Sequence, residues 1–209
     1  MNELEQARSL VHFWFGPLTH GLAGSARRKQ LFNADPDFDQ ILKTRFGKLV
    51  EQAQSGALNH WRTRTLGWQA LLLLLDQLPR NLYRGTARAY ASDAYALQVA
   101  REGVSRGDDR LLDLEHRVFS YLPFMHSESL ADQDTCVHLL RHLLAEQQTD
   151  SAASAVLEDY LRHARTHQAI IRRFGRFPHR NAALERTDTA EEAAWLVQDG
   201  RRFGQQSAR

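Results

Sequence analysis

Apolar residues recur at helical spacing along nearly the whole chain, and this periodicity restricts the fold more than any other feature. In one segment, for example, Phe38, Leu42, Phe46 and Leu49 fall on a single helical stripe. No segment alternates apolar and polar residues as a half-buried strand would. Pro, Gly and Asp separate the helical stretches at short intervals. The sequence therefore predicts an all-α fold of about seven or eight helices packed as antiparallel neighbours.

The length of 209 residues suits a single domain. We predict one all-helical domain over residues 1–199 and a flexible tail over residues 200–209. The segment Trp68–Leu75 is apolar nearly all round, so it is predicted to be the most buried helix. Residues 16–35 carry glycines and a basic trio, and are predicted to form a loop.

Composition excludes several classes of partner. The net charge is only +2, which argues against a duplex nucleic-acid binder. Cys136 is the only cysteine, so neither an intramolecular disulfide nor a cysteine zinc cage can form. The start of the chain lacks the pattern of a secretory signal. The longest apolar run, Ala70–Leu75, is too short to cross a bilayer. We therefore expect a cytoplasmic protein without a membrane partner.

Two polar segments resemble each other and carry the strongest indication of a site. Residues 76–86 form the first Arg–Asn turn and residues 172–181 the second; each follows an apolar helical run and places Arg and Asn after a Pro. Guanidinium groups bind carboxylates and phosphates in a bidentate manner, and amides add further contacts. The turns are therefore predicted to bind a small anionic ligand or an acidic peptide, through Arg80, Asn81, Arg84, Arg173, Arg176, His179, Arg180 and Asn181.

A structural role for the same arginines is the alternative. Cations are favourable at helix C-termini, where these arginines are expected. The sequence offers Asp76, Asp93 and Glu128 as carboxylate partners for them. If such pairs satisfy every arginine, the two turns would serve to fix the fold.

A third polar stretch, residues 123–128, lies between two predicted helices. His126 and Glu128 stand two residues apart at a helix start, so they are candidates for acid–base catalysis. Ser127 is better explained as a helix cap, because no Gly-x-Ser-x-Gly elbow surrounds it.

Metal and cofactor sites are not expected. The histidine pairs 138/142 and 163/167 have a spacing that can hold a metal, but neither has the Glu of a His-Glu-x-x-His helix. Gly-rich phosphate-binding loops are absent from the sequence.

Four ordered motifs resemble the bacterial family known as domain of unknown function 924. They lie at Phe13–Phe15, Leu75–Thr86, Met125–Gln133 and Arg173–Asn181. The resemblance runs from near residue 9 to near residue 197. It implies an all-helical, tetratricopeptide-like superhelical fold, although the strict tetratricopeptide consensus is not visible. It also implies site roles for Asp76, Gln77 and His167.

The resemblance implies no established reaction, and the sequence departs from the family pattern at Ser129 and Glu185. Three functions therefore stay open. The first is a module that binds a small anion or an acidic peptide. The second is a hydrolase or transferase in which His126 or Glu128 acts as acid or base. The third is a scaffold for protein–protein interaction. Because all three polar segments follow apolar helices, we expect both Arg–Asn turns to converge with His126.

Overall fold

The computed structural model describes residues 2–147 and 151–199, and helices dominate it. The helices are α1 (Glu3–Phe15), α2 (Ser25–Phe32), α3 (Pro36–Gln54), α4 (Thr65–Leu72), α5 (Leu78–Leu82), α6 (Asp93–Arg106), α7 (Leu114–Met125), α8 (Leu130–Glu146), α9 (Ser151–Phe174) and α10 (Ala190–Asp199). Short 3-10 turns occupy Asn59–Thr63, Ala87–Tyr90, Asp108–Leu111 and Pro178–Arg180. Within the described residues, strand pairing is limited to a two-residue antiparallel ladder of β1 (Leu18–Thr19) with β2 (Leu22–Ala23). The all-α prediction is confirmed.

The segment from Trp68 to Leu75 is buried along its whole length, as predicted from its apolar sequence. It belongs to a helix that runs without a break from α4 into α5. α4 packs against α1, α6 and α7, so it lies in the middle of the main core. No helix in the described ranges is long and apolar enough to span a bilayer.

A π-helical turn, Leu73–Gln77, joins α4 to α5 just before Pro79. Pro79 has no N–H group, so an α-helix would leave the carbonyl of Leu75 without its usual donor. The hydroxyl of Ser92 donates to that carbonyl at 2.7 Å. The helix therefore continues through Pro79, and the first Arg–Asn turn begins as helix and leaves it only near Tyr83.

Two other predictions about local structure were wrong. Residues 16–35 are not a continuous loop, because α2 and the small β-ladder lie within them. Residues 123–128 do not all lie between two helices, because α7 continues through Pro123 to Met125. A proline in the last turn removes only one backbone hydrogen bond, and the buried side chains around it hold that turn in the core.

The C-terminal part packs as a small second cluster. α8 and α9 form the most extensive helix pair, and the segment after α9 turns back to meet α10. Ile170, Ile171, Phe177 and Trp195 form the buried centre of this cluster. The tail predicted for residues 200–209 lies outside the described residues.

Candidate functional site

A partly enclosed cavity of about 620 Å³ lies between α2, α5, the end of α7 and the middle of α9. Six of the residues predicted from the sequence line it together: Gln77, Arg80, Asn81, Arg84, His126 and His167. Apolar side chains form another part of the wall: Leu31, Phe32, Leu122, Met125, Ala155 and Val156. The remaining lining residues are Arg28, Lys29, Asn33, Asp159, Tyr160 and His163. We refer to this space as the α2–α9 cavity.

His126 is held by Asp76, which lies directly behind the cavity wall. The Nδ1 atom of His126 is 2.8 Å and 3.0 Å from the two carboxylate oxygens of Asp76. The guanidinium of Arg80 lies 3.2 Å from the same carboxylate, and the amide of Gln77 donates to it. The side chain of Asp76 is only 2% exposed. The predicted site residue Asp76 therefore positions His126 and does not itself line the cavity.

The protonation states in this cluster follow from burial and charge. Burial alone would raise the pKa of Asp76, but Arg80 and His126 outweigh that effect and lower it. Burial, with the nearby Arg80, lowers the pKa of His126 below its usual value. At neutral pH the cluster therefore holds a carboxylate beside a neutral imidazole. That imidazole donates its Nδ1–H to Asp76 and keeps a lone pair on Nε2.

The two Arg–Asn turns meet at Asp93. One guanidinium edge of Arg80 forms a bidentate pair with the Asp93 carboxylate, with both distances at 2.9 Å. Arg180 reaches the same carboxylate at 3.1 Å and also donates to the carbonyl of His126 at 3.0 Å. Both guanidinium groups lie over the ring of Tyr90. The second turn therefore meets the first beside His126 through Arg180, so the expected convergence is confirmed for this part of the second turn.

Asp39, on α3, is a partner that the sequence did not indicate. Its carboxylate accepts from Arg84 at 2.5 Å and 2.9 Å, and from the amide of Asn81 at 2.8 Å. α3 was predicted from its apolar stripe, and Asp39 looked like an ordinary surface residue of that helix. Because α3 packs against α5, Asp39 fixes Arg84 and Asn81 where they line the cavity.

Most of the second Arg–Asn turn lies away from the cavity. Arg173 pairs with Glu191 at 2.7 Å, and Arg176 forms a bidentate pair with Glu192 at 2.6 Å and 2.7 Å. Asn181 donates to Asp188 and Glu192. These contacts hold α10 against the end of α9. From the sequence, Asp76, Asp93 and Glu128 were the carboxylates expected to pair with the arginines. The carboxylates on α10 that pair with Arg173 and Arg176 were not among them.

Glu128 is also placed away from the cavity, so it does not join His126 in one acid–base pair. Its carboxylate accepts from Arg186 at 2.9 Å and 3.0 Å, and from the backbone N–H of Phe177 at 2.9 Å. Burial would raise its pKa, but these donors outweigh burial and lower it. Glu128 is an ionised anchor for the second Arg–Asn turn.

A row of rings connects the cavity to the second turn. His126, His167, Phe177 and His179 follow one another with centroid distances of 6.3, 5.6 and 5.4 Å. Burial lowers the pKa of His167 to about 3, and it lowers the pKa of His179 well below its usual value. The Nδ1 of His167 lies 2.9 Å from the carbonyl of His163. Both histidines are therefore neutral at physiological pH.

Lining residues from α2 and α9 were missed by sequence reasoning. Lys29 belongs to the basic trio at residues 27–29, within the segment that the sequence predicts to be a loop. The sequence points to His163 only through its spacing from His167. In the described ranges, no group of three or more His, Cys, Asp or Glu residues is arranged to hold a metal ion.

A wider and more open groove, of about 760 Å³, lies on the outer side of α9 and reaches Trp195. Of the predicted site residues it contains only Arg173. The convergence of an oriented histidine with several arginines distinguishes the α2–α9 cavity as the candidate site.

Comparisons with known proteins agree on the family and leave the function open. A family model described as bacterial protein of unknown function (DUF924) matches residues 10–200. The solved structure of a protein of unknown function from Agrobacterium tumefaciens, ATU0120, is similar, with 36% sequence identity and a TM-score of 0.77. The match covers 93% of this chain and 98% of that one. The comparison with curated proteins found no match.

Proposed function

The chain belongs to the bacterial DUF924 family, and we propose that it binds a small molecule with an acidic head and an apolar body in the α2–α9 cavity. The observation that carries this proposal is the orientation of the ion pairs in the cavity wall. Arg80 and Arg84 line the cavity, whereas the carboxylates that hold them do not.

Because of this arrangement, pairing with a carboxylate does not exclude these arginines from ligand binding. From the sequence, pairing with carboxylates was an alternative to ligand binding. Here Arg84 and Arg80 line the cavity, whereas their partners Asp39 and Asp93 do not, so each pair contributes its cationic member to the cavity wall. Such supporting carboxylates lock the rotamers of the arginines and reduce the entropy lost when an anion binds. A paired arginine can therefore both fix the fold and recognise a ligand.

The charges that line the cavity favour an anion. Arg28, Lys29, Arg80 and Arg84 line it, and the carboxylate among the described lining residues is that of Asp159. Lys29 is exposed to solvent, so it attracts anions at long range without the free-energy cost of burying its charge.

The apolar part of the wall indicates the shape of the ligand. Leu122 and Met125 come from the core end of α7, and Val156 comes from α9. Phe32, from α2, adds a large apolar surface that is nearly half exposed. A cavity of this volume is within the range of small-molecule sites, which combine apolar walls with a few polar groups. An apolar body against this wall would bring an acidic head to Arg80 and Arg84.

The test is a thermal-shift comparison of three probes with the same six-carbon chain: hexanoate, hexyl phosphate and hexanol. A ligand at about 100 times its Kd stabilises a protein by about 2.7 kcal/mol. For a chain of this length that corresponds to a rise in Tm of roughly 5–11 °C. We expect one or both anions to raise Tm and hexanol to have little effect.

Arg84→Met and Arg173→Met are the matched pair of variants. Both remove a guanidinium that has a carboxylate partner, but only Arg84 lines the cavity. We expect Arg84→Met to abolish most of the anion-induced shift and Arg173→Met to leave it intact. Equal loss in both variants, or no shift with any anion, would reject the proposal and favour a structural scaffold. A shift with an acidic peptide but with neither anion would favour the peptide instead.

We also propose a tetratricopeptide-like stacking of helices and a cytoplasmic location. The successive packing of α7 on α8 and of α8 on α9 supports tetratricopeptide-like stacking in the C-terminal half, whereas α1 packs mainly against α4. The single, buried Cys136 is compatible with a reducing, cytoplasmic location.

A further inference from the structure

The Asp76–His126 pair is built from two distant parts of the chain, and its histidine lines the cavity. Asp76 belongs to the π-helical turn, and His126 follows α7. π-helical turns occur frequently at functional sites, because the extra residue redirects side chains. Here the turn places the carboxylate of Asp76 within hydrogen-bond distance of the His126 imidazole, of Gln77 and of Arg80.

This arrangement leaves one ring nitrogen of His126 for chemistry in the cavity. Nδ1 is engaged by Asp76, so Nε2 is the nitrogen that a molecule in the cavity can meet. A carboxylate that fixes the tautomer and orientation of a histidine is the arrangement that makes imidazole an effective general base. A purely structural histidine does not need to line a cavity with arginines beside it.

We propose that His126, positioned by Asp76, is a general base that activates water to hydrolyse an ester bearing an acidic group. The proposal rests on the binding function proposed above, because the acidic group of the substrate would be held by Arg80 and Arg84. It adds a reaction to that binding site.

The reaction proceeds in two steps. Nε2 of His126 takes a proton from water while the water oxygen bonds to the ester carbonyl carbon, giving a tetrahedral oxyanion. The bond from that carbon to the leaving oxygen then breaks, and the proton on Nε2 goes to the departing alkoxide. The products are an alcohol and a carboxylic acid, which loses its proton to water at neutral pH and becomes a carboxylate, and no oxidant or reductant is needed.

Water is the nucleophile because the cavity offers no suitable side chain. None of the described residues that line it is Ser, Thr or Cys. Ser127, next to His126, donates instead to Asp132 at 2.7 Å. The hydroxyl of Tyr160 donates to Glu115 at 2.6 Å, and burial raises its pKa well above its usual value. The cavity is open to solvent, so water can reach Nε2.

The experiment uses two p-nitrophenyl esters of equal length, the hydrogen glutarate and the pentanoate, which differ by a terminal carboxylate. Release of p-nitrophenol is followed for the wild type, His126→Gln, Asp76→Asn and the control His138→Gln. His138 is exposed on α8 and does not line the cavity. General bases contribute roughly 10²–10⁴-fold to rate, so we expect His126→Gln to lose at least 100-fold in kcat/KM.

Asp76→Asn tests positioning, and it keeps the proposal falsifiable if His126→Gln does not fold. We expect it to lower kcat by at least 100-fold with little change in KM, because the amide would leave His126 in the wrong tautomer. The wild type should hydrolyse the glutarate ester at least 10-fold faster than the pentanoate ester. His138→Gln should match the wild type.

The outcomes separate the reaction from the binding function. If hexanoate raises the Tm of the wild type, but the wild type hydrolyses neither ester faster than His126→Gln does, catalysis is rejected and binding stands. If hydrolysis occurs and depends on Asp76, but the pentanoate is preferred and hexanoate gives no shift, the acidic ligand is rejected. Hydrolysis that persists in both His126→Gln and Asp76→Asn would reject His126 as the base.

Discussion

Asp93 joins the two Arg–Asn turns, and its removal is the sharpest test of how the site is held. Asp93→Ala would take away the bidentate partner of Arg80 and the carboxylate partner of Arg180. Arg80 would retain Asp76 at 3.2 Å. Arg180 would retain the His126 carbonyl and its contacts with the rings of Tyr90 and Phe177.

The loss of stability should come mainly from Arg180. Its side chain is only 7% exposed, so water cannot replace the lost carboxylate. Burial already lowers the pKa of Arg180, and Asp93 is the main group that opposes this effect. Removing one partner of a buried pair costs about 3–5 kcal/mol, because the other charge stays buried. For this length of chain the expected fall in Tm is roughly 6–20 °C.

Chemical denaturation with urea measures the free energy of unfolding, and Arg173→Ala is the control. Arg173 pairs with Glu191 at 2.7 Å, but its side chain is 53% exposed. Exposed pairs contribute about 0–1 kcal/mol, so this variant should be nearly as stable as the wild type. The two variants compare a buried and an exposed arginine pair within the same turn.

A double variant identifies the source of the loss. Arg180→Met removes the buried charge and keeps an unbranched apolar side chain in its place. We expect the loss in Asp93→Ala/Arg180→Met to be smaller than the sum of the single losses by at least about 1 kcal/mol. A loss below about 1 kcal/mol for Asp93→Ala, or full additivity, would refute the view that Asp93 compensates a buried charge.

Two further predictions concern the core and the effect of pH. A Cβ atom on Gly103 would overlap the indole of the fully buried Trp68. We expect Gly103→Ala to cost about 1–3 kcal/mol in urea denaturation. At Gly47 a Cβ atom would meet the flexible Lys43 side chain at 4.0 Å, an ordinary van der Waals contact, so Gly47→Ala should stabilise α3 by up to about 1 kcal/mol. The pKa of His167 falls from 6.5 to about 3 on folding, so its contribution to stability is complete above pH 6.5 and declines as pH falls towards 3. Between pH 6.5 and 5 the free energy of unfolding of the wild type should fall by about 2 kcal/mol more than that of His167→Gln. If both proteins lose the same stability over this pH range, His167 is not buried in its neutral form.

The parts of the structure that depend on local sequence were predicted well. Helical periodicity depends on residues three and four apart, so it identified α3 and the buried segment Trp68–Leu75 without any tertiary information. The position of both Arg–Asn turns after apolar helices predicted that they approach each other near His126, but the structure brings the second turn there through Arg180, while Arg173, Arg176 and Asn181 pair elsewhere. α2 was missed because its basic side chains face the cavity and its mouth, which weakens its apolar stripe.

The partners of the arginines could not be predicted, because they are separated along the chain. Asp39 and Arg84 are 45 residues apart, and Asp93 and Arg180 are 87 residues apart. Nothing in the local sequence distinguishes these carboxylates from others on helix surfaces. For the same reason, sequence reasoning coupled His126 to Glu128, its neighbour in the chain, and not to Asp76, which is 50 residues away. The roles of these residues in binding or catalysis stay predictions.

Pro79 helps to explain how the polar residues of the first Arg–Asn turn reach three partners in other parts of the chain, namely Asp39, Asp93 and His126. Because Pro79 cannot donate, the carbonyl of Leu75 accepts from Ser92, and this bond draws the start of α6, with Asp93, towards Arg80. The π-helical turn before it adds a residue, which rotates all later side chains by about 100° relative to an uninterrupted α-helix. Without that rotation, the side chains of Asp76 and Arg80 would point in other directions relative to the side chains of α4. A residue that would normally end a helix thus sets the geometry of the candidate site.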